Sequence, residues 1–432
     1  MSQETSTRTI KEWKIPHIEF DEYVLDNGLN VILHQNRYTP LVVVSVMYHV
    51  GSKNDPEQRK GFAHFFEHLL FEGSENIGRG EFAKIVEGSG GMLNANTSND
   101  RTYYYEVMPA HHLATSLWLE SERMLHARVD QIGIDTQRGV VKEERLQRYD
   151  NQPYGTVIEE IMKRVFINHP YHWTTIGSME HLAAATAQDF VDFYKDYYVP
   201  NNAVLTISGD FETKEAKELV DKYFASIPKG LNLHQKHSPS DLPLLGELRD
   251  TVYDNIQLPA VVIAYRMPGI LDDDYQAVML LSQYLAGGES SLFNQVLVDD
   301  TQLAVNAGAF SYPLEDLGVF ICYGIAQIGV EPKELEQKME ELLSLTFQEI
   351  MPDYDFMKLK NTIIAQQVKQ LSTLSGIAEE LASSNTFYKN TNEINTSLDK
   401  ILSITKEDIL KASNKYLKTN NRVVLHFMPK PQ

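Results

Sequence analysis

Residues 63–70 read Ala-His-Phe-Phe-Glu-His-Leu-Leu, and the interpretation of the whole sequence starts from this stretch. Read as a helix, it places His64 and His68 four residues apart on one face, with Glu67 beside them. Two imidazoles at this spacing can reach one Zn²⁺, and a nearby carboxylate that does not bind the metal can take a proton from its bound water. The H-x-x-E-H pattern therefore predicts a metal site.

The surroundings of this stretch support that prediction. Apolar neighbours are expected to bury the remaining faces of the helix: Phe62, Phe65, Phe66, Leu69 and Leu70. Polar side chains between phenylalanines are costly to bury unless something compensates, and a metal ion would do so. Satisfied core histidines with a surface glutamate are the alternative, which the combined H-x-x-E-H spacing disfavours.

Bulk composition limits the remaining possibilities. A chain of 432 residues is expected to form two domains, and 43% hydrophobic with 23% charged residues is typical of a globular protein. No apolar run approaches the length of a membrane-spanning helix. Cys322 is the only cysteine, so any zinc site must use histidine and carboxylate ligands.

Charge and the N-terminus bear on partners and compartment. The formal net charge of −20 argues against nucleic acid as a partner. Acidic residues lining a cavity would favour a cationic or neutral substrate, although the excess can equally serve solubility. Residues 1–14 are polar and do not form a secretory signal, which predicts a cytoplasmic protein for the chain as given and a periplasmic one if a leader was removed.

The order of predicted elements indicates an α+β protein with two related halves. Each half runs from strands through a helix and further strands to several helices and a final strand. Pro40 followed by Leu-Val-Val-Val resembles Pro259 followed by Ala-Val-Val-Ile. The second copy has no metal motif. The predicted domains are 1–230, which carries the chemistry, and 247–432, joined by a linker at 231–246.

A third protein ligand is expected because two histidines leave zinc under-coordinated. The predicted helix over 135–149 contains Glu143 and Glu144. On a helical wheel Glu144 falls between Val140 and Val141, on the apolar and inward-facing stripe, whereas Glu143 lies on a polar flank. The wheel favours Glu144 as the ligand, although such pairs of glutamates are usually just solvated.

The motif resembles that of the inverted-motif zinc peptidases, the family of pitrilysin, insulin-degrading enzyme and mitochondrial processing peptidase. That family has a ligand glutamate 76 residues after the second histidine, which is Glu144 here. The likeness extends over four further stretches: Asp26-Asn27-Gly28-Leu29, Phe71-Glu72-Gly73-Ser74, Asn94-Ala95-Asn96-Thr97-Ser98 and Val140-Val141-Lys142-Glu143-Glu144-Arg145. It implies two tandem α/β sandwich domains, with mostly antiparallel sheets covered by helices, arranged as a clamshell. We interpret the source as bacterial.

The resemblance also implies roles for individual residues. His64, His68 and Glu144 would hold one Zn²⁺ per chain, and Glu67 would be the general base. Gln137 stands where the family has a supporting glutamate. The strand over 92–98 would receive a peptide substrate as an added strand, with the binding positions at Asn94, Ala95 and Asn96.

One departure from the family pattern affects the second half. Active members usually carry an arginine there, with a tyrosine seven residues later, and these two side chains polarise the substrate carbonyl. Here the positions are Val298 and Val305, and neither side chain can donate a hydrogen bond. Two arrangements follow: a heterodimer with a homologous subunit that lacks the zinc motif and supplies the missing pair, which we favour, or a homodimer with altered catalysis.

Three functions remain open from the sequence. The leading one is a zinc metalloendopeptidase acting on peptides or unfolded segments in an enclosed chamber. The alternative is a non-catalytic structural or docking subunit of a peptidase-like complex. A metal-dependent hydrolase of a non-peptide substrate is the third, and only the resemblance disfavours it.

Overall fold

The computed structural model describes residues 16–231, 238–348 and 350–431. Within these residues eleven strands form two sheets. The strands are β1 (Asp21–Val24), β2 (Asn30–Gln35), β3 (Leu41–Tyr48), β4 (Met92–Thr97), β5 (Thr102–Pro109), β6 (Ala203–Gly209), β7 (Leu248–Asp254), β8 (Ala260–Pro268), β9 (Ala304–Tyr312), β10 (Leu317–Ala326) and β11 (Arg422–Pro429).

Helices cover both sheets. They are α1 (Phe62–Leu69), α2 (Glu81–Gly88), α3 (Leu113–His126), α4 (Gln131–Arg145), α5 (Val157–Val165), α6 (Met179–Ala184), α7 (Ala187–Tyr197), α8 (Thr213–Phe224), α9 (Tyr275–Ala286), α10 (Pro332–Gln348), α11 (Asp353–Gln370), α12 (Leu374–Tyr388), α13 (Glu393–Ser403) and α14 (Lys406–Tyr416). None of the helices in the described residues combines the length and the apolar character needed to cross a membrane. The sequence did not predict α6 and α13.

The two sheets share one topology. The first has the order β1-β2-β6-β3-β5-β4 and the second the order β7-β11-β8-β10-β9, so the second repeats the first without β1. In both sheets one neighbouring pair is parallel, β2 with β6 and β7 with β11, and the other pairs are antiparallel. The predicted α+β fold with two related, mostly antiparallel units is confirmed.

Each half of the chain contributes one helix that packs on the sheet of the other half. From the first half, α5 packs Ile161 and Val165 against the second sheet. From the second half, α12 packs Leu381 against Ile32 and Met47 of the first sheet. Both faces of each sheet are thereby buried under apolar side chains, as a strand that is apolar on both sides requires. The predicted boundary at 231–246 therefore does not separate two independently covered sheets.

The predicted linker has no regular structure where it can be described. Residues 238–246 contain neither helix nor strand, and residues 232–237 lie outside the described part of the chain. Asp241 nevertheless fixes this segment, because its carboxylate accepts hydrogen bonds from the backbone N–H groups of Ile167 and Asn168, both at 2.8 Å, and pairs with Arg266 at 2.9 Å.

A buried lysine joins the two halves. Lys53 Nζ lies 2.9 Å from Asp100, also pairs with Glu315, and lies 3.5 Å from Asp316. The Lys53 side chain is only 3% exposed. Burial lowers its pKa, but the three carboxylates outweigh this effect and raise the pKa above its ordinary value. The ammonium group is therefore charged and compensates carboxylates from both halves.

Replacing Lys53 with Met is expected to lower the free energy of unfolding by about 3 kcal/mol, because removal of one partner leaves buried charges uncompensated. Chemical denaturation measures this change. The matched control is Lys214→Met: this side chain is 91% exposed, with one glutamate 3.9 Å away, and its loss should change the free energy by less than about 0.5 kcal/mol. Equal effects of the two substitutions would contradict the proposed role of Lys53.

Candidate metal centre

Helix α1 holds the two histidines on a rigid frame. Gly61 precedes the helix with φ at +102°, a conformation that strains any other residue. The Asp55 carboxylate then accepts hydrogen bonds from the N–H groups of Gly61 at 2.6 Å and Ala63 at 2.9 Å. Burial raises the pKa of Asp55 to about 8, and the N–H groups of the helix act against that rise. The first turn is thus anchored from the preceding loop.

The apolar face of α1 is buried as predicted. Its phenylalanines and leucines are at most 2% exposed: Phe62, Phe65, Phe66, Leu69 and the following Leu70. Tyr104 on β5 donates a hydrogen bond of 3.0 Å from its hydroxyl to the Phe66 carbonyl, which belongs to the peptide bond that joins Phe66 to Glu67. The helix therefore cannot rotate without breaking this packing, and the opposite face presents the polar side chains.

Helix α4 brings Glu144 to the two imidazoles. Its Oε2 atom lies 3.4 Å from His64 Nε2 and 3.2 Å from His68 Nε2. One ligand atom from each of the three residues lies within 4.8 Å of the other two. Residues 76 positions apart in the chain thus converge on a single point.

The donor set fits a divalent cation. Glu144 Oε2, the oxygen that faces both imidazoles, is buried and makes no hydrogen bond within the described residues. Burial and the neighbouring His68 lower the pKa of His64, which keeps its ring neutral and able to bind a metal. The pKa of Glu144 is lowered, chiefly by His68, so this carboxylate is ionised. Two imidazoles and one carboxylate, without cysteine, match a zinc site of the catalytic type.

Glu67 lies beside the three convergent residues and outside their group. Burial raises the pKa of its carboxyl above the ordinary value, while the Thr97 hydroxyl on β4 opposes the rise. A carboxylate with a raised pKa is a better proton acceptor than an ordinary one. Its position on α1, one residue before His68, allows it to act on a group held by the histidines.

These residues line one open cleft of about 1060 Å³. Its walls come from α1, the edge strand β4, α4 and the turn that follows α4. The lining residues are His64, Glu67, His68, Asn94, Ala95, Asn96, Thr97, Thr136, Gly139, Val140, Glu143, Glu144, Gln147, Arg148, Tyr149 and Thr175. The predicted substrate positions on β4 and the predicted metal ligands therefore share one cleft.

The edge of β4 remains free for pairing within the described residues. β4 is the last strand of the first sheet and pairs only with β5. Asn94 turns its side-chain oxygen back to the N–H of Ala95 at 2.9 Å, and Asn96 accepts a hydrogen bond from Arg101. An exposed edge strand offers its backbone groups to an extended chain.

The wheel argument was wrong about Val140. Val141 is fully buried, but Val140 is 44% exposed and faces the cleft. The reason is that this side of α4 lines an open space instead of the core. Glu143 also lines the cleft, although its predicted position was on a polar flank. The helix begins at Gln131, earlier than predicted, because Asp130 caps it through the N–H of Gly133, and it passes into a π-helical turn at Leu146–Asp150.

Gln137 does not hydrogen-bond a proposed ligand within the described residues. Its amide donates to Glu72 Oε1 at 2.6 Å, and the other oxygen of Glu72 binds Arg79 at 2.6 Å. Its own carbonyl oxygen is buried without a hydrogen bond. In the second half, Val298 is partly buried against the core and Val305 is 41% exposed on the edge strand β9. Neither valine belongs to the described residues that line the cleft.

Comparison with known proteins agrees with this fold and this site. Residues 30–178 match the family model "Insulinase (Peptidase family M16)", and residues 184–363 match "Peptidase M16 inactive domain". Zinc protease PqqE of Helicobacter pylori is 31% identical over 95% of this chain and 93% of its own length. A mitochondrial-processing peptidase subunit beta of Arabidopsis thaliana, named as probable, is 23% identical over 83% of this chain and 68% of its own length.

A solved structure shows the same architecture over almost the whole chain. The crystal structure of a protease from Helicobacter pylori superimposes with a TM-score of 0.90 at 29% identity, covering 95% of this chain and all of that chain. Fold and comparisons thus define a protein of the two-domain peptidase type. The chain belongs to peptidase family M16, and its relatives are named zinc proteases. The predicted resemblance is confirmed at the level of the family.

Proposed function

We propose that this chain is a zinc metalloendopeptidase and the zinc-bearing half of a heterodimer. The observation that carries the proposal is the convergence of His64, His68 and Glu144 in a cleft that also contains Glu67 and the free edge of β4. A docking subunit has no use for this set. The names of the relatives support zinc and proteolysis for the family.

The chemistry assigned to each residue follows from its position. His64, His68 and Glu144 would hold the ion, which supplies Lewis acidity and lowers the pKa of a bound water when present. Glu67 accepts the proton of the attacking water and delivers it to the leaving amine. The two histidines, fixed on α1 together with Glu67, would hold the ion on the same helix as this carboxylate.

The edge strand β4 orients the substrate in this mechanism. A peptide that pairs with the free edge of β4 is held by main-chain hydrogen bonds along Asn94, Ala95 and Asn96. Because main-chain pairing is independent of side chains, it suits peptides and unfolded segments. Such pairing would bring a backbone carbonyl of the peptide, which is the group to be attacked, into the cleft that Glu67 also lines.

The heterodimer part of the proposal rests on Val298 and Val305, which cannot stabilise developing negative charge. A homologous chain without H-x-x-E-H, carrying arginine and tyrosine at these two positions, would provide the missing donors. One relative is itself named a subunit, which agrees with such an assembly. The compartment stays a prediction: cytoplasm for the chain as given, periplasm after removal of a leader.

Mixing this chain with such a homologous partner is expected to raise peptide hydrolysis at least about 100-fold, the loss that removal of one oxyanion donor typically causes. A quenched peptide library measures the rate for each chain alone and for the mixture. In the matched experiment the partner carries valine at its two donor positions and should give no increase. Full activity of this chain alone would contradict the heterodimer, and zinc binding without hydrolysis in any mixture would favour the non-catalytic docking role.

A further inference from the structure

Arg148 is the one arginine or lysine among the described residues that line the cleft. It lies on the π-helical turn Leu146–Asp150 that continues α4 past Glu144. Such widened turns inside helices are frequent at functional sites. The side chain is 72% exposed, so its position is not imposed by core packing.

Arg148 and the two histidines approach different oxygens of the Glu144 carboxylate. Arg148 Nη1 lies 2.7 Å from Glu144 Oε1, whereas Oε2 is the oxygen that approaches both imidazoles. A guanidinium on one oxygen fixes the rotation of the carboxylate and leaves only the other oxygen for a cation. The neighbouring Arg145 shows the contrast, because Asp150 at 3.0 Å and Glu159 at 2.9 Å hold it away from Glu144.

We propose that Arg148 is a positioning residue that limits Glu144 to one-oxygen binding of the metal. The inference rests on the proposed metal centre. A catalytic zinc site needs an open position for water or substrate. A carboxylate free to bind through both oxygens would add a donor and compete for that position. Arg148 occupies the second oxygen and so keeps the position open.

Co²⁺ reports the number of donors, because its visible absorption is strong with four donors and weaker with five or six. The test loads the full-length chain with Co²⁺ and compares wild type, Arg148→Ala, Arg148→Lys and the control Lys142→Ala. Lys142 is an exposed cation on the same helix without a described contact to Glu144. Its loss removes the same charge and leaves the carboxylate untouched.

Wild type and Lys142→Ala are expected to give the same intense spectrum. Arg148→Ala should retain Co²⁺ with a weaker spectrum, and Arg148→Lys should fall between them, since an ammonium can still occupy one oxygen. In the zinc form with its partner, kcat of Arg148→Ala should fall about tenfold with KM nearly unchanged, the pattern of a group needed in the transition state.

The outcomes separate this inference from the proposed function. An unchanged spectrum for Arg148→Ala, or loss of its Co²⁺, overturns the positioning role while the metal centre stands. A changed spectrum without peptide hydrolysis in any mixture supports the positioning role and contradicts the peptidase. Failure of wild type to bind Co²⁺ overturns both.

Discussion

Glu67→Gln is expected to lower peptide hydrolysis about 1000-fold, within the range typical of a lost general base, while zinc binding is kept. Glutamine preserves the size of the side chain but cannot accept the proton of the attacking water. Because Glu67 lies outside the three convergent residues, its replacement leaves the metal ligands in place. The rate is measured with a quenched peptide in the presence of the partner, and zinc by elemental analysis of the same sample.

The control for this substitution is Glu87→Gln on α2. Glu87 is exposed and does not line the cleft, so its replacement removes one negative charge without touching the site. Hydrolysis by this variant should stay within about twofold of wild type, as for most surface substitutions. A Glu67→Gln enzyme that retains a tenth or more of the wild-type rate would show that another group accepts the proton.

His64→Ala should reduce the zinc content from about one ion per chain to a trace, with complete loss of hydrolysis. Loss of a residue that only hydrogen-bonds a metal ligand already weakens metal binding about 10- to 100-fold. Loss of a ligand itself should therefore weaken binding further. Glu144→Gln, which keeps the shape of the side chain, should have the same effect if folding is unchanged. Zinc is measured after dialysis against a weak chelator, and circular dichroism checks the fold.

His111→Ala is the matched control for the metal experiment. His111 is exposed, its ring contacts that of His112 in a tilted arrangement at 4.2 Å between centroids, and it does not line the cleft. Its loss should leave the zinc content unchanged. Equal loss of zinc from His111→Ala and His64→Ala would mean that the ion is bound elsewhere or without specificity.

The sequence predicted the parts of the site that local spacing determines. His64, Glu67 and His68 lie on one helix, so their relative positions follow from helical geometry. The strong apolar runs also predicted the strands β3 and β8 and the repetition of one unit, because a strand that is buried on both faces is apolar throughout. Glu144 was predicted by the wheel and by the resemblance, and the structure brings it to the histidines.

Features that depend on packing between distant segments were not predicted. Asp55 anchors α1 from a loop six residues before Gly61, a distance at which no local capping pattern operates. Helix α5 packs on the second sheet and α12 on the first, and neither helix has a sequence pattern that identifies the sheet it covers. Lys53 appeared as one charge in a polar loop, although three carboxylates from both halves surround it.

Arg148 illustrates the same limit within the site. The i to i+4 spacing from Glu144 would have allowed a pair, but the sequence does not say whether such a pair faces solvent or a cleft. Only the fold shows that Arg148 lines the same cleft as residues of α1 and β4. Val140 was misplaced for the same reason, since a helix that borders an open cleft exposes apolar residues that a wheel assigns to the core.

Diffraction data from zinc-soaked crystals, collected on both sides of the zinc absorption edge, would locate the ion itself. We expect one anomalous peak about 2.0–2.2 Å from His64 Nε2, His68 Nε2 and Glu144 Oε2, the usual range for zinc with these donors. The absence of a peak between these three atoms, or a Glu144 side chain turned away from the imidazoles, would contradict the zinc centre on which the proposed peptidase depends.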